Sequence, residues 1–264
     1  MQVSELSIYP LKSGRAQNLS LMKITHEGPE GDREWMLVDE TGKFVSQRTL
    51  PKLATVNAVY EPASLTLAFE KMFFKIGRKT SFSREVKVQV WNDSFTAALE
   101  PDLYSQALSQ YLGVNVRLVR YAPFSQRRVL STNKEWKPEV RFADGRPILL
   151  VNTKSLEDLN SKLATPVPMN RFRPNIVIQG QKAFEEDSWK RIKIGNVVFS
   201  QPKLSARCKI TTIDQQSGVS QGAEPLATLA TYRRDVGNKV NFGTLWIPEN
   251  DGTLQVNDAL EVLA

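Results

Sequence analysis

The sequence predicts a mixed, mainly β protein with few helices. Short runs of β-forming residues alternate with Gly, Pro, Asp and Ser breaks along the first hundred positions, and the same texture returns near residue 147. Helical periodicity is confined to a few short stretches. With 264 residues, 41% of them hydrophobic and 24% charged, the chain is long enough for one large domain or two ordinary ones, each with its own core.

Taken in order, VSELSIY, EWMLVD, KFVSQ, ATVNAVYE, SLTLAFE and EVKVQVW read as strands and suggest a small barrel or sandwich. PDLYSQALSQYLG then sets Tyr104, Leu108, Tyr111 and Leu112 at helical spacing, with Gly113 where a helix commonly ends. VNVRLVR reads as a strand. Residues 121–146 are basic and broken by Pro and Gly, either a connecting loop or a functional flap, so a boundary near 120 divides the chain into units 1–120 and 121–264. The second unit mixes the strands PILLV, NIVIQG, IKIGNVVFSQ, TLWIP and GTLQVNDALEVL with two short helices. One helix starts near Thr153 or Ser155, where a hydroxyl suits the N-cap; the other starts at Glu224-Pro225, where proline suits the first turn.

Composition closes several routes. One cysteine forms no internal disulfide, no Cys-rich zinc site and no iron–sulfur cluster, and one histidine, His26, completes no zinc triad. No G-x-S-x-G elbow supports a Ser-His-Asp site. No apolar run approaches the roughly 18 residues of a membrane span, and MQVSELSIYPLKSG has the form of neither a signal peptide nor a transit sequence; the expectation is a soluble, cytoplasmic protein. The net charge is +7, and residues 117–146 carry eight Arg/Lys against three Asp/Glu. Something anionic binds such a stretch, or it is a solvated loop face. No aromatic-interleaved or helix-turn-helix motif shapes it for nucleic acid.

Three segments carry candidate chemistry. Cys208 lies in SARCKITTIDQQSG between Arg207 and Lys209, a setting that favours its thiolate, nucleophilicity and soft-metal ligation, although a lone cysteine is more often an inert buried residue. RFRPN at 171–175 places two guanidinium forks close enough to grip a phosphate or carboxylate; alternatively one faces solvent and one pairs with Glu185, Glu186 or Asp187. PLKSG at 10–14 and GDREW at 31–35 are polar corners at strand ends, where Lys12, Ser13 and Arg33 offer donors to an anion and Gly14 and Gly31 permit close backbone approach. Each corner alone is also a common turn.

In combination these segments resemble the MOSC superfamily in the form that carries an N-terminal β-barrel domain: the YcbX-type bacterial proteins and the mitochondrial amidoxime-reducing components. The resemblance rests on YPLKSG (9–14), GDREWMLVD (31–39), FADGRPILLVNTKSLEDLN (142–160), NRFRPNIVI (170–178) and RCKITTID (207–214), continued by EPLATLATYR (224–233) and GTLQVNDALEVL (252–263). It implies an N-terminal β-barrel-like domain followed by a MOSC β-barrel domain.

The resemblance further implies a molybdenum cofactor, molybdopterin, whose metal is ligated by Cys208. Lys12, Ser13, Arg33, Thr153, Ser155, Arg171, Arg173, Asn175 and Arg207 would hold its phosphate and ring, and Asp214 would line the open side of the metal. The implied reaction is two-electron reduction of N-hydroxylated compounds, a detoxification chemistry. Many YcbX-type proteins continue into a ferredoxin domain absent here, so the expected electron source is a separate flavoprotein reductase or small redox carrier, with 117–146 a dock for an acidic one. The same family admits a sulfur carrier using a Cys208 persulfide, or a non-catalytic molybdopterin-binding module. Pyridoxal phosphate is attached to the family by distant kinship, and no Schiff-base lysine stands out.

Overall fold

The computed structural model of the chain describes residues 1–78, 82–127 and 140–264. The protein is mainly β, with three α-helices among the described residues. Its largest sheet has eight strands in the order Leu260–Val262, Arg191–Ile194, Val197–Ala206, Asn241–Pro248, Ile148–Asn152, Ile176–Gln179, Gln2–Ile8 and Gln17–Leu19, and it curls into a half-barrel. Every neighbouring pair is antiparallel except Ile148–Asn152 with Ile176–Gln179, whose parallel pairing requires the crossover supplied by helix Thr153–Asn160.

The central strand shows why this sequence takes this place. ILLVN is apolar in both registers, and it is buried on both faces. Ile148 and Leu150 enter one core with Ile176, Ile178 and Trp246, while Leu149 and Val151 enter a second with Val177, Phe172 and Phe242 beneath the helices. Trp35–Val38 repeats the device in a four-stranded sheet. Trp35 and Leu37 pack with Leu53 and Leu108, and Met36 and Val38 pack with Val88, Phe95 and Phe142.

The chain's first two strands belong to the large sheet, where Gln2–Ile8 pairs with Ile176–Gln179; Leu21–Thr25 pairs with Gly252–Gln255 in a separate three-stranded sheet. This crossing carries the 9–14 corner and the 31–35 corner against the segment 171–175, although some 140 residues separate them in sequence: Arg33 Nη1 donates to Asn175 Oδ1 across 142 positions.

Several elements differ from the sequence expectation. KFVSQ forms no strand; only Lys43 and Phe44 make isolated bridges, because the chain turns at Ser46, whose carbonyl accepts from the Leu50 amide, into the 3-10 helix Pro51–Thr55. Strands Met72–Gly77 and Asp93–Leu99 were not expected, since both owe their pairing to a preceding strand through a tight hairpin more than to their own composition. Helix Asp102–Leu112 ends at Gly113 as expected, with φ 74°. Helix Thr153–Asn160 is capped by Asn152, whose side chain accepts from the Lys154 amide, rather than by a hydroxyl. The third helix, Leu226–Tyr232, directly follows Pro225.

Much of the basic stretch 117–146, residues 128–139, lies outside the described residues. Its described cations turn inward. Arg120 pairs with Glu34, Arg127 with Asp93 and Arg141 with Glu27, and Arg117 donates to the carbonyls of Asp39 and Glu40. No helix among the described residues is long and apolar enough to cross a membrane.

Candidate functional site

A cavity of about 190 Å³ opens where the two corners, the 142–147 loop, the 171–175 segment and the end of strand Val197–Ala206 meet. Cys208 stands in its wall, partly exposed, at the point where the chain leaves that strand and enters the 3-10 helix Lys209–Thr212. The amide and hydroxyl of Thr211 both donate to the Cys208 carbonyl at 3.0 Å, which fixes the turn and aims the thiol.

Around the thiol the wall is cationic. Lys12, Arg33, Arg48, Arg146, Arg173 and Arg207 line the cavity, and Asp144 is the one carboxylate among the lining residues. Lys12 Nζ donates to Asp144 at 2.5 Å and to the Phe142 carbonyl at 2.6 Å. Burial pulls the Lys12 pKa down to about 8, partly opposed by Asp144; in the wall of the same cavity, Lys12 holds the Asp144 carboxyl well below the usual carboxylate range despite the cost of desolvating it. Burial also lowers Arg173 and Arg207 to about 10, with the Cys208 sulfur favouring the Arg207 cation. All three remain cationic at neutral pH. So many cations facing one space, with one acid among them, repel each other until an anion enters.

The scaffold behind them is specific. Tyr9 is buried beneath Arg33 and Arg173, whose guanidinium carbons lie 4.5 and 4.2 Å from its ring centre, and its hydroxyl donates to the Pro174 carbonyl. Burial pushes the Tyr9 phenol up to about 12, so it stays neutral. Asn175 ties both halves of the chain: its Oδ1 accepts from the Leu149 amide and Arg33, and its Nδ2 donates to the Ser7 carbonyl and Asp32. Arg173 Nη1 donates to the Gly14 carbonyl at 2.7 Å and to Gln215. Arg207 donates to the Phe172 carbonyl and to Ser205, while its buried Nε has no partner among the described residues. Ser13, Arg33 and Arg173 all take left-handed backbone conformations, with φ of 66°, 45° and 56°. Non-glycine residues held this way at one cavity mark a wall fixed by the surrounding fold.

The structure therefore brings Lys12, Ser13, Arg33, Arg173, Asn175, Arg207 and Cys208 together. Four residues expected at the site by resemblance lie outside the cavity lining. Ser155 is fully buried, donating to Glu186 and accepting from the Phe184 amide, because the first turn of its helix faces the core; Thr153 opens the same helix. Arg171 reaches the Thr211 carbonyl, Asp214 and Gln221, so it braces the loop that follows Cys208. Asp214 is spent within its own turn: its carboxylate accepts from the amides of Ser217 and Gln216, which lower its pKa, and pairs with Arg171. Arg48, Asp144 and Arg146 were missed. FADGRP stood within one of the segments that carry the resemblance without its Asp144 or Arg146 being singled out, and SQRTLP offered no chemical signal in sequence.

A thiol at a strand end thus faces a cationic cavity built from both halves of a mainly β chain. A model of the MOSC domain matches residues 137–261, and a model of the MOSC N-terminal beta barrel domain matches residues 1–115. This chain belongs to the MOSC family with the N-terminal β-barrel domain. It is 30% identical to mitochondrial amidoxime-reducing component 1 of Mus musculus, covering 99% of this chain and 82% of that protein, and 32% identical to the Danio rerio protein of the same name, covering 97% and 83%. It is also 29% identical to the molybdenum cofactor sulfurase of Oryza sativa subsp. japonica, matching over 93% of this chain but 32% of that longer protein.

Proposed function

We propose that this protein is a molybdenum-dependent oxidoreductase that reduces N-hydroxylated small molecules: hydroxylamines, amidoximes and N-hydroxylated bases. The observation that carries the reading is Cys208 standing alone as a soft donor in a cationic cavity. Among the described residues no group of three His, Cys, Asp or Glu could hold a metal ion, and a cofactor that brings its own sulfur ligands would complete the coordination of a metal on Cys208. Molybdopterin fits: it is anionic, as the wall demands, and it brings its own sulfur ligands. The orphaned Arg207 Nε is a buried donor that such a ligand would satisfy.

In this reading the Cys208 thiolate ligates molybdenum, and Lys12, Ser13, Arg33, Arg173, Asn175 and Arg207 grip the cofactor's phosphate and ring, with Arg146 added from the structure. The bound cofactor would supply the two-electron chemistry by which an N-hydroxyl compound, two electrons and two protons give the parent amine, amidine or base and water. The chain's part is to orient: Thr211 fixes the thiol, Arg171 braces its loop, and Asn175 and Tyr9 hold Arg33 and Arg173 in place. One cysteine cannot hold an iron–sulfur cluster within these 264 residues, and in this reading electrons come from a flavoprotein reductase or small redox carrier.

The test is molybdenum and pterin content of protein purified from a host with an intact cofactor pathway, wild type against Cys208→Ser. Stoichiometric molybdenum that is lost in the variant, with turnover of N-hydroxylated compounds by wild type, supports the reading. Metal in neither protein refutes it. The match to the plant sulfurase favours a second reading, in which Cys208 carries a persulfide; sulfur released by dithiothreitol from metal-free wild type would select it.

A further inference from the structure

Arg48 stands apart from the other cations of the cavity. Among the described residues its guanidinium makes a single hydrogen bond, Nη1 to Cys208 Sγ at 3.5 Å, and no carboxylate or carbonyl takes its remaining N–H donors. Its position is nevertheless defined. The guanidinium carbon lies 4.5 Å from the centre of the Trp91 ring and 5.7 Å from that of Phe44, and those rings meet edge to face at 5.1 Å. Trp91 is anchored in turn, because its indole N–H donates at 3.1 Å to Asp144, the carboxylate that also receives Lys12.

Trp91 occupies an unusual place for so large a residue. It sits in the tight turn between strands Glu85–Val90 and Asp93–Leu99 with φ 56°, a left-handed conformation that such turns ordinarily give to Gly, Asn or Asp. It is 46% exposed, so burial in a core does not account for it. A bulky side chain held in a costly backbone conformation, half in solvent, with a cation laid on its face, points to a functional constraint.

We propose that Arg48 receives the oxygen-bearing head of the substrate beside Cys208, and that Trp91 is the positioning residue that shelves Arg48 there. This rests on the oxidoreductase reading above. A planar fork with unspent donors, steadied by stacking instead of by ion pairing, is suited to a polar N–O group: it can close on the oxygen without first breaking a salt bridge. Lys12, Arg33, Arg173 and Arg207, by contrast, are already committed to carbonyls, Asp32, Asp144 or Gln215 on their scaffold sides.

The experiment titrates benzamidoxime into oxidised, cofactor-loaded protein without an electron donor, so that binding is read calorimetrically and no turnover occurs, and then measures steady-state reduction with a donor. Molybdenum per chain and melting temperature are recorded for wild type, Arg48→Gln, Arg48→Lys, Trp91→Gly and Trp91→Phe. Arg48→Gln should keep its molybdenum while benzamidoxime binding weakens about tenfold or more, with KM rising in parallel, and Arg48→Lys should restore part of it. Trp91→Gly relieves the turn and should melt no lower than wild type, yet show raised KM with kcat largely kept; Trp91→Phe should recover most of the binding. Unchanged binding in Arg48→Gln, or loss of molybdenum from it, overturns the proposal while leaving the oxidoreductase reading intact. Loaded wild type that neither binds nor reduces the compound overturns both.

Discussion

Replacing Glu186 by Gln should stabilise the protein at alkaline pH and leave it nearly unchanged in acid. Glu186 is fully buried in the middle of the short 3-10 turn Glu185–Asp187, with the Ser155 hydroxyl donating to both of its carboxylate oxygens. Burial raises its pKa from 4.5 to about 7. The folded state therefore holds a proton that the unfolded chain releases. Below the unfolded value both states are protonated and there is no penalty; as pH rises between the two values the unfolded state gains its charge freely, and above about 7 the folded state bears the full cost of a buried carboxylate. A shift of this size corresponds to about 3 kcal/mol as an upper bound, and to a rise of roughly 5–10 °C in melting temperature for a chain of this length once the cost is removed. Glutamine is nearly isosteric and its carbonyl still accepts from Ser155. Urea denaturation of wild type and Glu186→Gln at about pH 4 and about pH 8 is the assay, with most of the gain expected at the higher pH. An equal effect at both values, or a loss at the higher one, would show that Glu186 is stabilised as an anion and that the reasoning is wrong.

Other outcomes follow from the same geometry. Ser155→Ala leaves the Phe184 amide without its acceptor and takes one donor from Glu186, so it should cost about 1–3 kcal/mol in denaturation while molybdenum per chain stays as in wild type; lost molybdenum in a stable variant would return Ser155 to the cofactor site. Asn175→Ala strands the Leu149 amide and the Ser7 carbonyl and frees Arg33, and should destabilise by about 2–4 kcal/mol, checked by thermal and urea unfolding. Binding of pyrophosphate to cofactor-free protein should be steady below about pH 8 and weaken as pH rises through the Lys12 value, because the ammonium is then lost. Lys12→Met should bind about tenfold less tightly and lose that pH dependence; a wild-type profile flat across this range would remove Lys12 from the anion site.

The strand texture, the helix closed by Gly113 and the family itself were legible in the sequence because they depend on local pattern and on motif order. PILLV and EWMLVD read as strands from their composition, and the strands they form, Ile148–Asn152 and Trp35–Val38, are buried on two faces. Cys208, Lys12, Ser13, Arg33, Arg173, Asn175 and Arg207 were picked out by residue type and motif, and the fold gathers them into one cavity.

What the sequence by itself determined was the inventory: one soft ligand, an excess of cations and a mainly β chain to carry them. Tertiary structure decided which cations share a space with the thiol. Pairing of Gln2–Ile8 with Ile176–Gln179 brings the N-terminal corners to the later half's cavity, a contact whose partners are too distant in sequence for any local pattern to encode. The same long-range packing turned Ser155 toward Glu186, spent Asp214 on its own turn and on Arg171, and set Arg48 against Cys208. Motif spacing names residue types; only the pleat of a strand, the cap of a helix and the path of the chain decide which way each side chain faces.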